Sequence, residues 1–250
     1  MASLDEAPSI DFSCTPAFLQ PAHDRWLRSS GNERAVIRCL EMLLSECEPR
    51  VILIAGEHSS GLSSVVYEIE RRLSRSKGRA LALYEDDDSD PRFVLQGVVE
   101  ALQMPNRIRK DANQKMPAVF ESVLALRGYR YFLIHDAGRF LMFTPPITRG
   151  TCASLTYLLS LPMRAKLVIA ATHNYVNKYL QLLEALNPEC LRLAPMTNDK
   201  RYAAFVQGLV QQNLSARSTF APDVNAIHHK TRGLVGETAV EVFQQCQVCA

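Results

Sequence analysis

With 250 residues, 47% of them hydrophobic and 22% charged, the chain is long enough for one large α/β domain, or for one domain plus a short appendage. A formal net charge of +2 excludes nucleic-acid binding through bulk charge, so any such affinity must come from local clusters. No apolar run approaches the roughly 20 residues of a membrane helix, and the opening MASLDEAPSIDF lacks the charged-then-apolar pattern of a leader peptide, so a cytoplasmic protein is expected.

Residues 1–30, with Pro8, Pro16 and Pro21, predict an irregular arm. A helix is expected over 32–46, where Val36, Ile37, Leu40, Leu43 and Leu44 recur at helical spacing before Pro49. The run VILIA at 51–55 ends at Gly56 and suits a strand buried on both faces. Similar runs recur at 79–84, 131–135 and 166–171. Helical patterns at 65–73, 93–102, 153–161 and 175–186 follow the four runs in turn. This alternation predicts βαβ units and a mostly parallel sheet, with 190–193 as a fifth strand. Beyond Pro195 the periodicity is helical at 199–214, 222–230 and 235–246. The expected organisation is an arm at 1–30, an α/β core at 31–196 and a small all-α lid at 197–250. The 7 cysteines are odd in number and lie mostly in apolar contexts, which predicts reduced thiols. Cys246 and Cys249 lack a second pair or nearby His at ligand spacing and read as core or helix-end residues.

The strongest chemical signal is GEHSSGLSS at 56–64, directly after the first strand. Against G-x-x-x-x-G-K-[ST], Gly56, Gly61 and Ser63 match, and Leu62 replaces the lysine. Such a loop wraps an anion in backbone N–H groups, and the following helix adds its dipole. Leu62 keeps that cradle but removes an ammonium whose charge-assisted hydrogen bond is worth about 1.5–3 kcal/mol. At about 1.4 kcal/mol per decade, binding should weaken roughly tenfold to a hundredfold. Hydrolysis should suffer more, because phosphoryl transfer depends on charge stabilisation. Glu57 adds an unhelpful negative charge. The alternative is that the two glycines only make a tight strand-to-helix turn.

A second signal is YFLIHDAG at 131–138. Hydrolytic P-loop enzymes carry an acid pair here, one to hold Mg²⁺ and one to polarise water. Asp136 is the one carboxylate present: either it holds the metal and Ala137 replaces the base, or it is the base and His135 replaces the metal holder. Imidazole is a poor ligand for hard Mg²⁺, and Asp136 as a turn-capping residue is the third option. Thr172, His173 and Asn174 follow another strand, where open α/β sheets place ligand contacts, although helix capping suffices for Asn174. Two basic clusters stand out. Arg71, Arg72, Arg75, Lys77 and Arg79 read as a solvated face complementing a helix C-terminus. Arg107, Arg109 and Lys110, with Lys115 beyond, are candidates for sequence-independent DNA phosphate contacts. The acidic run at 86–90 reads as a solvated loop.

In order and spacing, these motifs resemble the AAA+ ATPases of transposition, the TniB/TnsC/MuB-like group, from about residue 23 to residue 245. The likeness includes Arg25-Trp26-Leu27, the 56–64 loop, DPRF at 90–93, 131–141, Ala170-Ala171-Thr172 and TRGLVGE at 231–237. The resemblance implies an ASCE-type P-loop NTPase sheet flanked by helices, with a helical lid, in a bacterial cytoplasm. It implies ATP and Mg²⁺ as cofactors, DNA and a transposase or other transposition proteins as partners, and assembly with itself or an active paralogue. By position, Gly56, Ser59, Ser60, Gly61, Leu62, Ser63 and Ser64 would meet phosphates, with Ser63 and Asp136 toward Mg²⁺ and Thr172 toward the γ-phosphate. The departures are Leu62, the broken acid pair, and NPEC at 187–190 where relatives place an arginine finger. The function expected is a degenerate regulator or adaptor with weak or no ATP hydrolysis. A slow but active DNA-binding ATPase that recruits a transposase, and a scaffold unrelated to transposition, are the alternatives.

Overall fold

The computed structural model describes residues 29–47, 49–76, 78–83, 94–103, 116–135, 137, 145–176, 186–213 and 221–248. Its elements, in chain order, are α1 (Ser30–Leu44), β1 (Val51–Gly56), α2 (Leu62–Arg75), β2 (Arg79–Leu83), α3 (Val94–Ala101), α4 (Ala118–Leu126) and β3 (Tyr129–Ile134). Then come α5 (Pro145–Ser160), β4 (Lys166–Thr172), β5 (Glu189–Leu193), α6 (Lys200–Asn213), α7 (Val224–Thr231) and α8 (Val235–Val248). None of these helices is long and apolar enough to cross a membrane.

The five strands form one parallel sheet in the order β2-β3-β4-β1-β5. Strand side chains alternate between faces, and in the inner strands both faces are apolar. Val51, Leu53 and Ala55 join Phe132, Ile134, Leu167 and Ile169 in a core closed by α3, α4 and α5. Ile52, Ile54, Leu133, Val168 and Ala170 face the opposite core, closed by α1 and α2. This two-sided burial is why β1 reads as an unbroken apolar run. A separate cluster around Tyr202, Phe205, Val206, Ile227 and Val242 holds α6, α7 and α8 together. The buried hydroxyl of Tyr202 is satisfied there by those of Thr231 and Thr238, at 3.2 and 3.1 Å.

The structure departs from the sequence reading in specific places. Helix α5 begins at Pro145, well before the expected 153, because proline is tolerated in a first helical turn where no intrahelical acceptor is needed. Helix α4 was not anticipated: AVFESVLAL is apolar nearly all round, with Phe120 and Leu124 buried but Leu126 86% exposed, so no stripe marks it. Of the pattern expected at 175–186, residues 177–185 lie outside the described residues, as does the arm before residue 29.

Arg72 corrects the reading of its cluster as a solvated face. Its side chain is fully buried, with Nε donating to Glu68 Oε1 at 2.7 Å and Nη2 to Glu33 Oε2 at 2.9 Å. Arg71, Arg75 and Arg79 are exposed as expected. Arg72 therefore ties α1 to α2, the helix that follows the 56–61 loop. Replacing it with Leu should strand two carboxylates around a missing cation and lower stability by about 3–5 kcal/mol in urea unfolding. Joint apolar replacement of Glu33, Glu68 and Arg72 should recover most of that loss.

Candidate functional site

The C-terminal ends of β1, β3 and β4 meet at the N-terminus of α2. Gly61 caps that helix in the left-handed region at φ +89, where glycine alone is unstrained, and no side chain caps the first turn. The first helical bond runs from the Val65 N–H to the Gly61 carbonyl at 3.0 Å. The N–H groups of Leu62, Ser63 and Ser64 therefore have no intrahelical acceptor and sit at the positive end of the helix dipole.

The loop carbonyls are tied back from behind. Ser59 O accepts the Gly236 N–H at 2.7 Å, and Ser60 O accepts Asn32 Nδ2 at 3.1 Å. Gly236 opens the first turn of α8, and a Cβ there would lie 2.9 Å from Ser59 O. Side chains on α1 and backbone on α8 thus fix the loop in a curve that leaves its helix-side N–H groups to the open side. The cavity on that side has a volume of about 230 Å³. Ser59, Gly61, Leu62, Ser63 and Ser64 line it with Glu57, His58, His135, Ala170, Thr172 and Gly236. Among these described residues there is no lysine or arginine, and Glu57 is the one formal charge.

His135 follows β3, with its N–H 3.3 Å from Leu83 O and its ring 5.0 Å from that of Tyr67. Burial pushes its pKa down from 6.5 to about 4, so the imidazole is neutral near pH 7.

No family model matches the sequence, and no curated protein matches it. Solved structures do match. Domain III of the Thermotoga maritima replication initiation protein DnaA is similar at 12% identity and TM-score 0.58, over 87% of this chain and 84% of that one. A Walker-type ATPase of Pyrococcus abyssi is similar at 14% identity and TM-score 0.57, over 93% and 72%. The Aeropyrum pernix ORC1 protein, solved in complex with DNA, is similar at 14% identity and TM-score 0.65, over 92% of this chain and 63% of that one. The fold is that of an AAA+-like P-loop NTPase.

Within that P-loop frame, Ser59, Gly61, Leu62, Ser63, Ser64 and Thr172 line the cavity. Gly56 ends β1 in register with Thr172 and does not line it. Ser60 is turned inward, 3% exposed, with its N–H on Glu57 O and its Oγ packed under Gly56 without a hydrogen-bond partner among the described residues. Its hydroxyl does not face the cavity as the motif reading expected. Ala137 is 2% exposed in the core closed by α3–α5, whereas His135 lines the cavity. Asp136, Arg107, Arg109 and Lys110 lie outside the described residues. Asn32 and Gly236 were missed as loop supports, because their role depends on a contact distant in sequence that no local pattern announces.

The backbone therefore fits a phosphate group, but the described side chains supply no cation to match a triphosphate. The neutral His135 also gives the fold a pH signature. Its folded-state pKa lies below the unfolded value, so the unfolded chain takes up the proton first as pH falls. Its stabilising contribution is complete above about pH 6.5 and is lost toward pH 4. Urea unfolding should show His135→Gln losing about 1–2 kcal/mol less than the parent between pH 6.5 and 5.

Proposed function

We propose that this chain is a catalytically degenerate AAA+-type subunit of the transposition kind, an adaptor that binds partners and holds phosphate groups weakly, with little or no ATP hydrolysis. One observation carries this reading: a complete backbone cradle at the N-terminus of α2 opens on a cavity whose described lining has Leu62 where a cation belongs. The backbone half of phosphate recognition survives, and the side-chain half, which phosphoryl transfer needs most, does not. Gly61, Leu62, Ser63 and Ser64 would meet a phosphate through their N–H groups, with the Ser63 hydroxyl available to a Mg²⁺ ion and Thr172 facing them across the cavity. ATP bound there would supply the phosphates, and Asp136 would complete the metal side.

The DNA part of the proposal draws support from the DNA complex of the similar ORC1 protein. The transposition part rests on the order of motifs from Arg25 to Glu237, and the α/β core at 31–196 with its lid at 197–250 is the working unit proposed. A transposase, an active paralogue or further copies of this chain are the partners proposed.

A thermal-shift titration with ATP and Mg²⁺, run beside a phosphate-release assay, tests the reading, because a ligand of the folded state must raise stability. A small shift at millimolar ATP with negligible release is expected. Vigorous turnover would instead establish a working ATPase whose cation comes from elsewhere. Leu62→Lys should restore the missing ammonium and tighten ATP binding about tenfold to a hundredfold. An unchanged affinity in that variant would mean that the cradle is only a turn.

A further inference from the structure

The strands begin at the sheet edge opposite the cradle, and there the sequence repeatedly places a cation. Arg50 precedes β1, Arg130 is the second residue of β3, and Arg164 and Lys166 lead into β4. These four cations line one cavity of about 250 Å³, in which Glu46 is the one acidic residue among those described.

Two of the four have a structural duty. Lys166, 6% exposed, donates to the carbonyls of Met42 and Ser45 at 2.6 Å and of Cys47 at 3.1 Å. It satisfies the chain end of α1, as cations at helix C-termini do. Arg50 donates from Nε to Ala165 O at 3.3 Å and from Nη2 to the carbonyls of Leu159 and Ala165. Arg130 and Arg164 are different. Both are exposed, and neither guanidinium makes a hydrogen bond or ion pair among the described residues. Arg164 is moreover held at φ +53, an uncommon conformation for a residue other than glycine, by the turn that leads into β4.

Helix-end compensation thus explains the deeper pair and leaves the outer pair without an internal role. A concave site with four cations against one carboxylate focuses positive potential, and planar guanidinium forks match phosphate oxygens two at a time. The spacing favours a phosphodiester chain over an acidic peptide. Strands β1, β4 and β3 are neighbours, about 4.8 Å apart, and Arg79 at the start of β2 continues the row. A chain of linked phosphates laid along this edge would meet a row of cations rather than a single one. We propose that this edge is a second phosphate-binding site, separate from the cradle, at which Arg130 and Arg164 grip the phosphate of a nucleic-acid backbone or of a small phosphorylated molecule.

The test compares the full chain with the Arg130→Gln, Arg164→Gln double variant. A fluorescent DNA duplex read by anisotropy between about 50 and 200 mM salt probes the first source. Sodium pyrophosphate read by thermal shift probes the second. The substituted side chains are exposed, so the variant should melt with the parent in the absence of ligand. A weakening of duplex binding of at least about tenfold, with the salt slope reduced by about 2, assigns the site to nucleic acid. Loss of a pyrophosphate shift with duplex binding unaffected assigns it to a small phosphorylated ligand. The Arg130→Lys, Arg164→Lys variant should retain part of either response, which separates lost charge from a damaged fold. Binding equal in parent and Gln variant would place the anion at the cradle or elsewhere and overturn the proposal. Failure of the parent to respond to either probe would overturn it too.

Discussion

The geometry of the site depends on how the 56–61 loop is held between β1 and α2. A central strand buried on both faces delivers the chain to Gly56, and the left-handed Gly61 turns it into the helix. The carbonyls of Ser59 and Ser60 are then drawn away by Gly236 and Asn32. Once the acceptors are engaged behind the loop, the remaining donors have one open side. Because Gly236 belongs to α8 and Asn32 to α1, the cradle is shared between the sheet, its flanking helix and the C-terminal helices. Movement of α8 against the sheet would break the bond to Ser59 and release one end of the loop.

Backbone and side chains have separate fates at such a site. The curve of the loop is maintained by packing, by the Gly236 main-chain bond and by the Asn32 side chain, none of which needs a cation at residue 62. The chemistry of phosphoryl transfer needs positive charge, and the described lining has no lysine or arginine, with a His135 kept neutral by burial. Shape and charge at such a site are carried by different atoms, so a sequence can keep the first without the second. The chain is similar to solved structures at 12–14% identity over 87–93% of its own length, so the architecture is kept where few residues are.

The two ends of the sheet differ in how they offer positive potential. At the C-terminal edge it comes from the dipole and the first N–H groups of α2, with no lysine or arginine among the described lining residues. At the N-terminal edge it comes from arginines and a lysine standing among helix C-termini, where a cation offsets the negative end of a dipole. The fixed polarity of a parallel sheet with antiparallel helices makes the edges electrostatically unlike, and the sequence has accentuated the difference.

Apolar runs at 51–55, 79–84, 131–135 and 166–171, alternating with helical patterns, were enough to define a parallel sheet, because strands buried on both faces read as continuous hydrophobic runs. The spacing of Gly56 and Gly61 marked the loop for the same local reason, since backbone requirements leave a direct trace in residue type. What escaped the sequence were contacts between distant segments: Asn32 with Ser60, Gly236 with Ser59, Arg72 with Glu33, and the convergence of Arg50, Arg130, Arg164 and Lys166. Helix α4 escaped because it is apolar all round, and the inward turn of Ser60 because a serine has the same spelling on either side of a loop. The sequence by itself determined the strands, the glycine-shaped loop and the absence of its lysine, each of which is a local property. Which polar groups were buried, paired or left facing a cavity was decided only in the tertiary structure, because burial and partnership belong to the packing of elements rather than to any one of them.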